Sequence, residues 1–139
     1  MKDKFFIDTN IFVYSFDSTA PRKQEISKNI IQEAFRLRKG IISFQVVQEF
    51  LNVASRKFEK VLSQLDCRKY LDRFLEPLCE VYSSAELYRL ALDISGETNF
   101  SFYDSLILSA AIEGNCKSVI TEDLGSEQVV RGVRIINPY

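Results

Sequence analysis

The sequence contains no histidine. That excludes every mechanism built on an imidazole base, nucleophile or metal ligand, and leaves carboxylates, bound cations, Lys, Tyr and Cys to carry chemistry. Cysteine is scarce: Cys67, Cys79 and Cys116 are widely spaced, odd in number and form no CxxC pair. Without histidine to complete the set they do not make a zinc site. They read as reduced thiols, two of them in the core, and a cytoplasmic location is expected. No window approaches the roughly 20 apolar residues of a membrane span, so no membrane role is expected. The opening MKDKFFIDTN meets an aspartate too soon for the apolar region of a signal peptide. There is no repeat, no low-complexity tract and no Pro/Gly-rich linker, so the 139 residues are expected to form a single domain, 1–139. A surplus of charge is missing as well. With 18 basic and 19 acidic residues the formal net charge is −1, so a polyanion could be held only by a local basic patch.

What is present is ordinary globular composition, 46% hydrophobic and 27% charged, arranged in alternating patterns. Lys4 to Ile7 is a short β-prone run that stops at Asp8. Asn10 to Phe16 forms a short helix or turn. Pro21 opens a long helix, with Ile26, Ile30, Ile31, Ala34, Phe35 and Leu37 near helical spacing and Gly40 as its end. Ile41 and Ile42 make a second strand. Ser43 can cap a helix with Phe44, Val46, Val47, Phe50, Leu51, Val53 and Ala54 on its apolar face. A helix from about Leu65 to Leu75 should stop before Pro77. Leu78 to Tyr82 reads as a third strand, followed by a helix capped by Ser83 and running to about Ser95. Ser101 starts another, ended by Gly114. Ser118–Thr121 and Arg134–Ile136 are the last strands. Strands alternating with helices predict an α/β fold: a central parallel sheet of about four to five strands flanked by helices on both faces.

Four acids occupy four separate segments: Asp8 after the first strand, Glu49 in the Ser43-capped helix, Asp104 three residues past Ser101, and Asp123 after the fourth strand. In right-handed βαβ units the strand C-terminal ends and the following helix N-termini share one sheet edge, where ligands bind. Glu49 lies six residues past Ser43, about 9 Å along its helix at 1.5 Å per residue, within a glutamate's reach of that edge. Each acid alone has a structural reading. Asp8 and Asp123 suit turns, and Asp104 completes a capping box with Ser101. Glu49 falls on a solvated stripe with Gln45, Asn52 and Arg56. Their joint placement points instead to an acidic pocket, where mutually repelling carboxylates need protons or a hard cation such as Mg²⁺. Thr9 and Asn10 follow Asp8 and could orient a carboxylate. Arg56, Lys57 and Lys60, then Arg68, Lys69 and Arg73, with Arg22 and Lys23, could rim the pocket and bind phosphates, or form ordinary solvated helix faces. Tyr70, Phe74 and Tyr103 could stack on bases.

The ordered segments IDTNIFVYSFD, SFQVVQEFLNV, FYDSLILSAAIEGNC, VITEDL and GVRIINPY resemble a PIN-domain ribonuclease, and most closely the toxin subunits of VapBC-type toxin–antitoxin pairs. The resemblance spans Phe5 to Tyr139. It implies a PIN-like fold and a metal-dependent endoribonuclease whose catalytic acids are Asp8, Glu49, Asp104 and Asp123. Of these, Asp8, Asp104 and Asp123 are implied to hold Mg²⁺ or Mn²⁺. Thr9, Asn10 and Thr121 are implied to support that shell. Glu122 sets a second acid beside Asp123; Asp123 matches the third position of the family's T-x-D segment, and the choice between the two stays open. The implied hydrolysis leaves a 5′-phosphate and a 3′-hydroxyl. The implied partners are RNA, a cognate antitoxin protein and a second copy of the chain.

Other classes fit less of the sequence. A receiver-type phospho-acceptor module needs an acidic pair after the first strand, a lone Asp after the third and a Lys after the last, and these positions hold one acid, Val81-Tyr82-Ser83 and Asn137-Pro138-Tyr139. A magnesium-dependent phosphatase needs an acid two residues after Asp8, where Asn10 stands. A catalytically silent PIN-like module, binding RNA or a protein partner, would not need all four acids.

Overall fold

The computed structural model describes residues 3–125 and 127–139. Its centre is β1 (Phe5–Ile7), three residues with every side chain buried. Beside it lie β2 (Gly40–Ser43) and β4 (Ser118–Ile120), both parallel to it. With β3 (Cys79–Val81), β5 (Val129–Val130) and β6 (Val133–Ile136), the sheet has six strands in the order β3-β2-β1-β4-β6-β5. All pairs are parallel except β5 with β6. The α/β class and its mainly parallel sheet are as expected, but the strand count is one higher. The extra strand, β5, is a two-residue antiparallel edge, too short to leave a periodic signal.

Among the described residues seven α-helices flank the sheet: α1 (Thr9–Tyr14), α2 (Pro21–Leu37), α3 (Phe44–Arg56), α4 (Gln64–Tyr70), α5 (Glu76–Leu78), α6 (Ala85–Glu97) and α7 (Phe102–Glu113). α7 is buried from Ser105 through Ala111, packs along α6 and touches β2, β4 and β6. α1 packs on α2 and α3 on the way from β1 to β2. The core gathers Phe5, Phe6, Ile7, Ile41, Ile42, Val119 and Ile135 from the sheet with Phe12, Phe50, Leu75, Leu87 and Leu108 from the helices. None of the helices among the described residues is long and apolar enough to cross a membrane. All three cysteines are free; Cys116 is buried, while Cys67 and Cys79 are half-buried.

Several boundaries differ from expectation, each for a local reason. Arg38, at φ 56°, is the left-handed residue that ends α2, not Gly40. Gly40 already belongs to β2, where a Cβ would sit 2.3 Å from the Ala34 Cβ and 3.0 Å from the Phe5 ring. The helix begun at Gln64 does not stop before Pro77. It widens into a π-turn over Leu71–Leu75, where the Glu76 N–H reaches the Leu71 carbonyl five residues back, and continues as α5. The widened turn accommodates a proline, which lacks an N–H and whose ring would crowd the carbonyl four residues earlier in a regular helix. Ser84, rather than Ser83, caps α6, its Oγ accepting from the Leu87 N–H at 3.1 Å.

Candidate active site

The strand order reverses at β1: β2 and β3 lie on one side of it, β4, β6 and β5 on the other. The carboxyl ends of β1 and β4 therefore flank a topological switch point, the usual ligand position in open α/β sheets. Asp8 follows β1 and Thr121 follows β4, one step beyond the paired residues Ile7 and Ile120. Asp8 is the N-cap of α1. Its Oδ1 accepts from the Thr9 N–H at 2.7 Å, and its Oδ2 accepts from Thr121 Oγ1 at 2.8 Å. Thr121 Oγ1 in turn accepts from the Asp123 N–H at 3.1 Å and from Asn10 Nδ2 at 3.3 Å. Asn10 Nδ2 also holds Asp123 Oδ2 at 3.0 Å, while Asn10 Oδ1 takes the Glu122 N–H at 3.3 Å.

From the other side, α3 supplies Glu49. Thr9 Oγ1 donates to its Oε1 at 2.7 Å and Gln45 Nε2 to its Oε2 at 3.4 Å. Gln45 also donates to the Tyr103 carbonyl at 3.3 Å, tying the first turn of α3 to the first turn of α7, where Asp104 stands. Ser101 caps α7 by accepting from the Asp104 N–H at 3.2 Å. The Asp104 carboxylate itself makes no hydrogen bond among the described residues, so the capping box is only half formed. Asp8, Glu49, Asp104, Asp123, Glu122, Thr9 and Asn10 all line one cleft of about 480 Å³, with Gln45, Tyr14 and Tyr103 completing its walls.

The cleft is electrostatically strained. Burial raises the Asp8 carboxyl to about 6, above the ordinary 3.8, and the charges of Glu49 and Asp123 push the same way against the hydrogen bonds from Thr121 and Thr9. A histidine-free site thus still holds one group that titrates near neutrality, which its residue types do not disclose. The donor set, carboxylates and amide or hydroxyl oxygens with no sulfur or imidazole, suits a hard divalent cation. Among the described residues no three acids stand close enough to hold an ion as they are. Ser43 Oγ, Gln45 Oε1 and Ser105 Oγ are buried without a hydrogen-bond partner among the described residues, all at the starts of the two helices that carry Glu49 and Asp104. Ser43 therefore precedes α3 without capping it through its side chain.

Glu122 faces a different partner. Lys23 Nζ forms an ion pair with its Oε2, and Tyr14 Oη donates to its Oε1 at 2.7 Å. Those bonds, Lys23 first, hold the Glu122 carboxyl below its usual range. Arg22 donates instead to the Tyr139 carbonyl at 3.0 Å. The exposed Arg56, Lys57, Lys60, Arg68 and Lys69 lie outside the acid cleft; Lys57 and Lys60 line a neighbouring groove with Phe16 and Asp17. Tyr70 is stacked between Phe50 and Phe74 at 4.8 and 4.7 Å, whereas Tyr103, edge-on to Phe102 at 5.6 Å, is 67% exposed. Gln45 was the residue hardest to place from sequence. Helical spacing sets it on a polar stripe with Glu49, yet it is buried, its amide reaching the Tyr103 carbonyl of α7. The partnership of Tyr14, Lys23 and Glu122 left no local signal, since their separations of 99 and 108 residues are set by the sheet.

A family model for the PIN domain matches residues 5–131. Among curated proteins no relative matches. Among solved structures, similar folds include a toxin–antitoxin complex from Klebsiella pneumoniae, with TM-score 0.70, 16% identity and 98% of each chain covered. VapBC2 from Rickettsia felis, bound to a DNA fragment from its promoter, is similar with TM-score 0.63 and 20% identity over 96% of this chain and 97% of that one. The sarcin–ricin loop cleaving toxin VapC20 of Mycobacterium tuberculosis is similar with TM-score 0.58 and 14% identity over 84% and 87%. The family match covers the cleft from Asp8 to Asp123 and most of the sheet; the chain belongs to the PIN-domain family.

Proposed function

We propose that this chain is a metal-dependent endoribonuclease and the toxin of a type II toxin–antitoxin pair. The observation that carries the reading is the acid cleft at the switch point of a PIN fold. Asp8, Asp104 and Asp123 would hold Mg²⁺ or Mn²⁺. The ion supplies charge neutralisation at the phosphate and makes water a better nucleophile. Glu49, both of whose oxygens are oriented by Thr9 and Gln45, would accept the proton as water attacks phosphorus. The 3′-oxygen leaves, giving a 5′-phosphate and a 3′-hydroxyl. Thr9, Asn10 and Thr121 orient the carboxylates through the hydrogen bonds described above.

Tyr103, exposed at the wall of the cleft, would stack on a base. Arg56, Lys57, Lys60, Arg68 and Lys69 would track the RNA backbone beyond the cleft rather than at the scissile bond. Free thiols suit a reducing cytoplasm. The structural neighbours that are toxin–antitoxin complexes support an antitoxin partner. The test is cleavage of a short RNA by purified protein with Mg²⁺, with Mn²⁺ and with EDTA, alongside Asp8→Asn and Asp104→Asn. The reading expects cleavage only with metal and loss in both variants; cleavage that persists in EDTA overturns it.

A further inference from the structure

Glu122 and Asp123 are adjacent acids on one loop, and both reach the wall of the same cleft. Their carboxylates are nonetheless sorted to opposite partners. Asp123 is held by Asn10, inside the network that also includes Asp8 and Thr121. Glu122 is held by Lys23 and Tyr14. The Lys23 ammonium is itself boxed in, 4.7 Å from the Tyr14 ring centroid and 5.3 Å from that of Tyr139. Tyr139 is fixed in turn, edge-on to Tyr14 at 5.2 Å and with its hydroxyl 2.6 Å from Ser27 Oγ on α2. A lysine between two aromatic faces is restrained as well as attracted, so it is a durable partner for one carboxylate.

We propose that Lys23 is a positioning residue that engages the Glu122 carboxylate at the wall of the cleft and so leaves Asp123 as the acid this loop offers to a cation. The inference deepens the metal-nuclease reading and rests on it. Without Lys23, Glu122 would keep its backbone bond to Asn10 but lose its charge partner. Its carboxylate, then held by Tyr14 alone, would stand with its charge uncompensated at the wall of a cleft already carrying four others. A divalent cation would recruit it, gaining a ligand, while the added negative charge would oppose an incoming phosphate. Lys23 thus lowers affinity for the ion in favour of affinity for the substrate.

Mn²⁺ titration calorimetry of the full chain tests this without relying on catalysis. Lys23→Met should bind Mn²⁺ about tenfold more tightly than the parent, in line with the dependence of affinity on ligand charge. The double variant Lys23→Met/Glu122→Gln should return to the parent affinity, and Lys23→Arg should stay near it. Tyr14→Phe, which removes the other bond to Glu122, gives a second and independent release and should tighten binding by a smaller factor. Circular dichroism establishes that each variant is folded. Unchanged or weaker Mn²⁺ binding in both Lys23→Met and Tyr14→Phe overturns the inference, as does tightening that survives in the double variant. A parent that binds Mn²⁺ but cleaves no RNA removes the nuclease reading while leaving the Mn²⁺ comparison to decide the role of Lys23. A parent that binds no Mn²⁺ overturns both.

Discussion

Asp8 caps α1 and is only 7% exposed, with its carboxyl raised to about 6 by that burial. The sign of the resulting pH dependence follows directly. A folded-state value above the ordinary 3.8 means that the folded chain holds a proton which the unfolded chain has released, so stability falls as pH rises from about 4 through about 6. The gap corresponds to about 3 kcal/mol at neutral pH. Asp8→Asn in EDTA should therefore be more stable than the parent at pH 7 by about 1–2 kcal/mol, a smaller gain because Thr121 loses its charged acceptor. The advantage should vanish below about pH 4; urea unfolding at the two pH values measures it. The same group predicts that Mn²⁺ affinity of the parent declines below about pH 6, because the ion must displace that proton. Calorimetry between about pH 5 and 8 reads this, and an affinity flat across that range would mean that Asp8 does not meet the ion.

Two helix starts offer a controlled comparison at the next scale. Ser84 and Ser101 make the same cap bond, to Leu87 and Asp104 respectively. Replacing either by alanine should lower stability by about 1 kcal/mol. Only Ser101→Ala loosens the turn that carries Asp104, so it alone should reduce metal-dependent cleavage, severalfold, while Ser84→Ala leaves cleavage as it was. Equal activity in both would mean that the α7 cap has no part in placing Asp104. The elements themselves were largely legible, because most are announced by local chemistry: Pro21 at the first turn of α2, Ser101 at the cap of α7, and the apolar runs of β1 and β4. What stayed hidden depends on contacts distant in sequence. Ser43 looks like a cap, but its hydroxyl is buried without making the cap bond. Pro77 looks like a stop, but a π-turn admits it. Gly40 looks like a helix end, but it lies in β2 against Ala34 of α2, too close for a Cβ. Asp8, Glu49, Asp104 and Asp123 could be placed near one edge by topology alone. That Glu122 would be engaged by Lys23 could not, since α2 and the loop after β4 meet only in the folded chain.

Across the whole molecule, the near-zero net charge and the acid cleft offer little long-range attraction to a polyanion, so the RNA binding proposed above would rest on local contacts. Apolar surface is distributed differently. Leu65 on α4 and Leu92 on α6 are each 60% exposed, although their neighbours Leu75, Leu87 and Ile94 are buried. These exposed leucines motivate the expectation of a homodimer. At about 50 µM, an order-of-magnitude working concentration, sedimentation should show self-association that Leu65→Lys or Leu92→Lys weakens without lowering thermal stability. A monomer at that concentration, with the same behaviour in both variants, would leave these leucines as ordinary surface residues.

The Thr121 hydroxyl has one proton and gives it to Asp8, while its oxygen receives Asn10 and the Asp123 amide. It is a junction with a single setting. An Asp8 carboxyl that arrives already protonated has no need of that proton, and an Asp8 pulled toward an ion moves away from it. In either case the bond from Thr121 to Asp8 is the one that would give way, while those from Asn10 and the Asp123 amide end on the same oxygen. The aspartates that follow these two neighbouring strands thereby meet at one oxygen atom, which gives its proton to the first and receives the backbone amide of the second.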